Sequence, residues 1–382
     1  MGIYLDYNAS APIDPRVLDT MIDIYRNDIG NADSRTHDYG EQARNVVETA
    51  RKQVASLLGV NATEVFFISG ATESNNIAIQ GLWDYAQESG KKHIVTTSIE
   101  HKAVLETVKA MSNRGFDVEF IAPDESGCVN AAELLNRVRD DTLLVSVMHV
   151  NNETGMIQPV QEIGEILATR DVLFHVDATQ SCGKLVNELR NLKYNMLSFS
   201  AHKLRGPQGV GVLVLRKRSY KLPPVRGIMY GGQQERGIRP GTIPVALVGG
   251  YGKACEIAQS EFAENNAKAQ TIRQMLLELL DSSGIDYSLN GDQTRCICST
   301  MSICFHGISS EALMISARQY CAVSNGSACT SKNYSPSYVL MAMGMPIERI
   351  EDSIRVSWGG DTDHEAVRRE FQKLLKIAKS LS

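Results

Sequence analysis

His175-Val176-Asp177-Ala178-Thr179-Gln180 and Ser198-Phe199-Ser200-Ala201-His202-Lys203 each read as the end of a buried strand that runs out into polar residues. Outward from them, apolar runs at residues 65–68, 93–97, 118–121, 143–150, 172–176, 196–200 and 210–215 alternate with helical patterns. Near-continuous apolar strands separated by helices predict an α/β fold with a mostly parallel seven-stranded sheet, covered on both faces. In such a sheet ligands bind beyond the carboxyl ends of the strands, which is where the two polar endings fall.

After residue 215 the rhythm changes. Residues 221–245 are rich in turn formers (Pro223-Pro224, Gly231-Gly232, Gly237, Pro240-Gly241) and read as an ordered functional loop. A long helical pattern from Val245 to about Leu280 follows, then short strands at 300–305, 321–323 and 353–357, and an amphipathic C-terminal helix of about 25 residues. This predicts a large domain over 14–255 and a smaller α/β domain made from 1–13 and 256–382.

The chain has 382 residues, 43% of them hydrophobic and 22% charged, with a formal net charge of -5. That is the composition of a globular protein with a substantial core, and it offers no basic footprint for nucleic acid or an anionic membrane. The first residues lack a basic segment followed by a long apolar run, and no stretch reaches about 20 uninterrupted apolar residues. A cytoplasmic location without membrane attachment is expected. Eight scattered cysteines suggest reduced thiols. Cys296-x-Cys298 lacks the second pair that a structural zinc site needs, so no metal is expected.

An acid at one strand end and a lysine at another are the parts needed to hold and tune pyridoxal 5'-phosphate (PLP). The lysine forms a Schiff base with the aldehyde. The acid keeps the pyridine nitrogen protonated, which makes the ring an electron sink. Lys203, before the turn-rich Gly206-Pro207-Gln208-Gly209, and Asp177 fit these two roles; a solvated lysine and a helix cap are the competing readings. Gln180 either closes that cap or donates to the cofactor's ring oxygen. Ser69-Gly70-Ala71-Thr72-Glu73-Ser74-Asn75 links a strand to a helix and either offers backbone amides to a phosphate, with Ser200 and His202 as further donors, or is an ordinary capped turn. His101 can stack on a planar ring and move protons, or is structural. Asn151-Asn152-Glu153-Thr154-Gly155 offers amide donors to cofactor or substrate. Arg355, in an otherwise apolar strand, needs either a substrate carboxylate or a structural ion-pair partner. Cys329 lies in a small polar loop at about 324–337, where a nucleophilic thiol competes with a fortuitous one.

With these motifs in order, the chain resembles the cysteine desulfurases among fold type I PLP-dependent transferases, the group that includes the nitrogen-fixation and iron-sulfur-cluster enzymes. The resemblance runs from Tyr4-Leu5-Asp6-Tyr7 to the final helix. It implies Lys203 as the Schiff-base lysine, Asp177 as pyridine partner and His101 as stacking acid/base. It implies Ala71, Thr72, Ser200 and His202 on the phosphate, Gln180 on the ring oxygen and Asn152 near cofactor and substrate. Arg355, helped by Asn31, would hold the substrate carboxylate. Thr242 would reach the phosphate bound by a second copy, implying a homodimer. L-cysteine would become L-alanine, with a persulfide on Cys329 passed to an acceptor protein.

Three departures qualify the pattern: Gly30-Asn31-Ala32-Asp33-Ser34 where familiar members have Gly-Asn-Pro-Ser-Ser, Ala201 where many have glycine, and Arg239-Pro240-Gly241-Thr242-Ile243 in the intersubunit loop. The chain also ends soon after its last helix, without the extension that housekeeping members use to dock a cluster scaffold, which weakens iron-sulfur assembly as the destination. Residues 31–37 are similar to desulfurases of DNA phosphorothioation systems. The alternatives are sulfur supply for iron-sulfur clusters, another PLP-dependent lyase or aminotransferase, and a silent sulfur-carrier scaffold.

Overall fold

The computed structural model describes residues 2–326 and 336–382; Cys329 lies outside the described residues. Twelve strands occur among them: β1 (Ile3–Tyr4), β2 (Val65–Ile68), β3 (His93–Thr97), β4 (Asp117–Ile121), β5 (Thr142–Met148), β6 (Leu173–Asp177), β7 (Met196–Ser200), β8 (Gly211–Leu215), β9 (Tyr287–Leu289), β10 (Thr300–Phe305), β11 (Cys321–Ala322) and β12 (Ser353–Ser357).

Seven of them form the expected sheet, in the order β2-β8-β7-β6-β5-β3-β4. All neighbours are parallel except β8, which runs antiparallel to both β2 and β7. Strands β2, β3, β5, β7 and β8 are buried along their whole length, as crossover helices on both faces require. Because the five parallel strands β3 to β7 point the same way, residues following β3, β5, β6 and β7 gather along one edge. The turn after β2 joins them there, and so does the turn that enters antiparallel β8.

Beyond the sheet, β10 pairs antiparallel with β12 and with β9. The amino-terminal segment contributes here: β1 pairs with β11, and Asp6 bridges to Ser357. Strand β9 is a three-residue element without full burial, too short for a hydrophobic period to reveal. The 39-residue helix Val245–Ser283 contributes Val248, Tyr251 and Ala254 to the core around the large sheet, and Ile272, Leu276 and Leu280 to the core around β10 and β12. One rigid helix thus belongs to both cores. The C-terminal helix His364–Leu381 is capped by Asp363 and buries Val367, Phe371 and Leu374 on that second core. No helix among the described residues is long and apolar enough to cross a membrane.

Candidate active site

A cavity of about 480 Å³ opens at the gathered strand ends, a size typical of cofactor sites. Its walls include Ser69, Gly70, Ala71 and Thr72 after β2, His101 after β3, and Met148, Val150 and Asn152 at the end of β5. Asp177 ends β6 with Thr179 and Gln180 beyond it, Ser200 ends β7 with His202 and Lys203 beyond it, and Arg355 comes from β12.

Asp177 is 4% exposed. Its Oδ2 accepts from Asn75 Nδ2 at 2.7 Å and its Oδ1 from the Thr179 amide at 2.9 Å. Two donors hold the carboxylate in one orientation, and Asn75, the last residue of the motif read as a phosphate turn, takes a part that the sequence did not assign to it. Its signal was faint: Asn75 lies one turn into the helix Ala71–Gln80, where a buried asparagine needs a partner. Behind Asp177 runs a further buried network. His175 Nδ1 meets Ser146 Oγ at 2.9 Å, His175 Nε2 meets Ser198 Oγ at 2.9 Å, and Ser74 Oγ donates to Ser198 Oγ at 2.7 Å. Burial lowers the His175 pKa to about 4, so the ring is neutral.

The helix Ala71–Gln80 begins at Gly70 without a side-chain cap, leaving first-turn N–H groups for an anion. Gly211 makes the close approach possible, since a Cβ there would sit 2.6 Å from Gly70 Cα. His202 Nδ1 lies 3.2 Å from Ser10 Oγ. Burial, with Lys203 beside it, lowers its pKa to about 4, so it presents a neutral ring to the cavity.

Lys203 Nζ donates to the carbonyls of Asn8 and of Ala9, the latter at 2.7 Å. His101 caps the helix Lys102–Ser112: its Nδ1 accepts the Ala103 amide at 3.1 Å. That hydrogen bond leaves the ring proton on Nε2. Burial lowers the His101 pKa and Lys203 lowers it further, with Asp177 opposing.

Gln180 Nε2 donates one hydrogen to the Asn8 carbonyl at 3.0 Å, which leaves its second amide hydrogen for a ligand, while Oε1 is buried without a partner. Arg355 lines the cavity and has a structural ion-pair partner. It is 5% exposed; one terminal nitrogen pairs with Asp6 Oδ1 at 2.6 Å, the other donates to the Asn152 carbonyl at 2.9 Å, and Nε is buried without a partner. Asn31 lies outside the walls; it is exposed, and its Oδ1 accepts from the Asp33 amide at 2.9 Å. Thr242 is likewise exposed and outside the walls.

Residues 3–369 match the family Aminotransferase class-V. The chain belongs to the class-V aminotransferase family. It is 43% identical over 371 residues to the cysteine desulfurase IscS of Pectobacterium carotovorum subsp. carotovorum (strain PC1), covering 96% of this chain and 90% of the relative. Its fold matches a NifS-like protein with a TM-score of 0.91 at 37% identity over the full length of both chains. It also matches DndA from Streptomyces lividans with a TM-score of 0.81 at 40% identity, covering 92% of this chain and 98% of that one. Class-V aminotransferases and cysteine desulfurases of this kind are PLP-dependent, and the cavity fits that cofactor. The walls carry Asn152 Oδ1, Thr179 Oγ1 and Gln180 Oε1 as buried polar atoms without partners, beside a lysine, an oriented carboxylate and an uncapped helix start. Buried polar atoms left unpaired by the protein are costly, and a polar ligand removes that cost. Among the described residues no group of three or more His, Cys, Asp or Glu side chains is placed to hold a metal ion.

The other cysteines with raised pKa values are packing or partly covered thiols. Burial pushes Cys304 up to about 11 and Cys321 up to about 12, which disfavours the nucleophilic thiolate.

Proposed function

We propose that this class-V aminotransferase family member is a cysteine desulfurase that takes sulfur from L-cysteine, releases L-alanine and carries the sulfur as a persulfide on Cys329 for an acceptor protein. The observation that carries the reading is one cavity whose walls hold Lys203, Asp177, His101 and Arg355 together. The reaction balances without an external oxidant. A protein thiol plus L-cysteine give a protein persulfide plus L-alanine: the sulfur–sulfur bond forms, the substrate's carbon–sulfur bond breaks, and its electron pair stays on carbon, which takes a proton.

When bound, PLP supplies the electron sink that makes the substrate's α-proton removable and its carbon–sulfur bond labile. The chain's own residues do the rest. Lys203 would hold the cofactor, and its amine, when free, would remove the substrate's α-proton. Asp177, fixed by Asn75, supplies the negative charge that keeps a pyridine nitrogen protonated. Ala71, Thr72, Ser200 and His202 take the phosphate. His101 covers a ring face and moves a proton at Nε2. Asn152 and Arg355 receive the substrate carboxylate, which shares Arg355 with Asp6. Gln180 contributes the amide hydrogen that the Asn8 carbonyl does not take. Asn31 and Thr242 hold their roles from the resemblance alone, and Thr242 fits only if a second copy brings it, so the reading includes a homodimer. The division at about residue 255 is supported by the two separate cores that share the helix Val245–Ser283.

The sulfur's destination follows the likeness of residues 31–37 to desulfurases of DNA phosphorothioation systems, which favours a partner that modifies DNA over an iron-sulfur scaffold. Purified protein is expected to persulfidate the first partner faster; equal or reversed rates count against that destination. The central test compares wild type with Cys329→Ala for alanine and sulfide release from L-cysteine plus reductant. Activity should vanish in the variant with its cofactor absorbance unchanged. Retained activity would leave a PLP-dependent lyase or aminotransferase whose chemistry bypasses Cys329.

A further inference from the structure

Glu153 takes no part in the chemistry above, yet it is a buried carboxyl, 4% exposed, one residue from Asn152. Asn151 aims it: Asn151 Oδ1 accepts the amides of Glu153 at 2.8 Å and Thr154 at 3.0 Å, while Nδ2 donates to the Ile99 carbonyl at 3.0 Å. The turn after β5 is thereby held rigid, and the carboxyl points away from the sheet with little freedom.

What it meets is the chain on either side of Cys329. Ser337 Oγ donates to Glu153 Oε2 at 2.5 Å. Gly326 packs on the same oxygen: with φ at +84°, a Cβ there would come 2.5 Å from Oε2. Two residues earlier, Ser324 is bridged to Arg355, its amide donating to the Arg355 carbonyl at 3.1 Å. The described residues on either side of Cys329, Gly326 and Ser337, thus meet one buried carboxyl, beside the arginine and asparagine assigned to the substrate carboxylate. Burial raises the pKa of this group, while Ser337, Arg355 and Lys102 favour its charge.

We propose that Glu153 is a positioning residue for sulfur transfer: by holding Gly326 and Ser337 together it sets the ends of the segment from which Cys329 reaches the substrate sulfur. The inference rests on the reading that Cys329 accepts that sulfur. It separates two steps that an unspecific structural role would not separate. Cofactor and substrate binding use cavity walls that Glu153 does not form, so they proceed without it. Transfer needs the thiolate in line with the carbon–sulfur bond, and a misplacement of about 1 Å costs on the order of a hundredfold in rate.

The test uses the PLP-loaded full chain, mixed rapidly with L-cysteine, and reads the cofactor absorbance change and the one-sulfur mass gain on Cys329 in the same sample. Glu153→Ala should show the absorbance change within about twofold of wild type while the persulfide forms at least about tenfold more slowly. Glu153→Gln, which can still accept from Ser337, should recover most of that loss. Should Glu153→Ala not yield loaded protein, Ser337→Ala removes the same hydrogen bond and carries the same expectation. Persulfide formation within twofold of wild type, or an equal fall in both signals, overturns the inference. Wild type that turned over cysteine with no sulfur on Cys329 would overturn the underlying reading, which the Glu153 variants alone could not do.

Discussion

Glu100 shows how a single side chain links the fold's stability to its site. Its Oε1 accepts from Thr97 Oγ1 and from the Met148 amide, both at 2.8 Å, tying the end of β3 to the end of β5 next to His101. Its Oε2 is buried without a partner, and burial raises its pKa to about 8. The folded protein therefore keeps a proton that the unfolded chain releases near 4.5, so this group's contribution is present at low pH and lost as pH rises toward 8. His175 and His202 act the other way. Held neutral with pKa values of about 4, they cost stability as pH falls from 6.5 toward 4. At 6.5 the unfolded histidines are still half protonated, so their opposing slope persists to about pH 7.5 and cancels only between proteins that share them. Denaturant unfolding should therefore show wild-type stability falling, relative to Glu100→Gln, by on the order of 2 kcal/mol from pH 6.5 to 8. A slope unchanged in the variant would remove Glu100 as its source.

At the scale of elements, the phosphate cradle depends on two backbones in contact, β8 beside the start of the helix Ala71–Gln80. Gly211→Ala would place a methyl 2.6 Å from Gly70 Cα, and backbone cannot yield as a flexible side-chain tip can. The cost is about 1 to 3 kcal/mol of stability, with the helix start displaced. A lowered Tm together with weaker PLP retention on dialysis is expected; a lowered Tm with normal retention would mean that Gly211 serves packing alone. Strands β2, β3, β7, β10 and β12 were legible residue for residue because each is a stretch of four to six residues built around apolar side chains and bounded by polar or turn residues. The antiparallel direction of β8 was not legible, since an apolar run carries no sign of its orientation. Neither was the partner of Asp177, since Asn75 and Asp177 are about a hundred positions apart and meet only when the helix packs on the sheet.

For the whole molecule, the region between β8 and the helix Val245–Ser283 presents Tyr220 at 97%, Tyr230 at 100% and Met229 at 42% exposure. It is anchored from below by Glu235, whose carboxylate pairs with Arg51 at 2.8 Å and accepts the Phe67 amide at 2.8 Å. Large apolar side chains held outward on an anchored base suit an interface between copies, and Thr242 lies in the same region. Sedimentation should give twice the 42.0 kDa chain mass, and Tyr230→Glu should shift the population toward monomer with loss of activity. A wild-type monomer with full activity would remove the second copy, and Thr242 with it, from the site.

By itself the sequence determined the layered α/β architecture, because hydrophobic period and turn chemistry are local properties that each segment carries alone. It determined the chemical inventory as well: a lysine and an acid at strand ends, a small-residue turn at a helix start, a cysteine in a polar loop. The tertiary structure decided how those groups are aimed. The Asn8 carbonyl turns the Gln180 amide, Asp6 shares Arg355, Asn75 orients Asp177, and Glu153 joins Gly326 to Ser337. Each is a contact between residues distant in the chain, and a hydrogen bond's direction depends on where its partner lies, which no local pattern encodes.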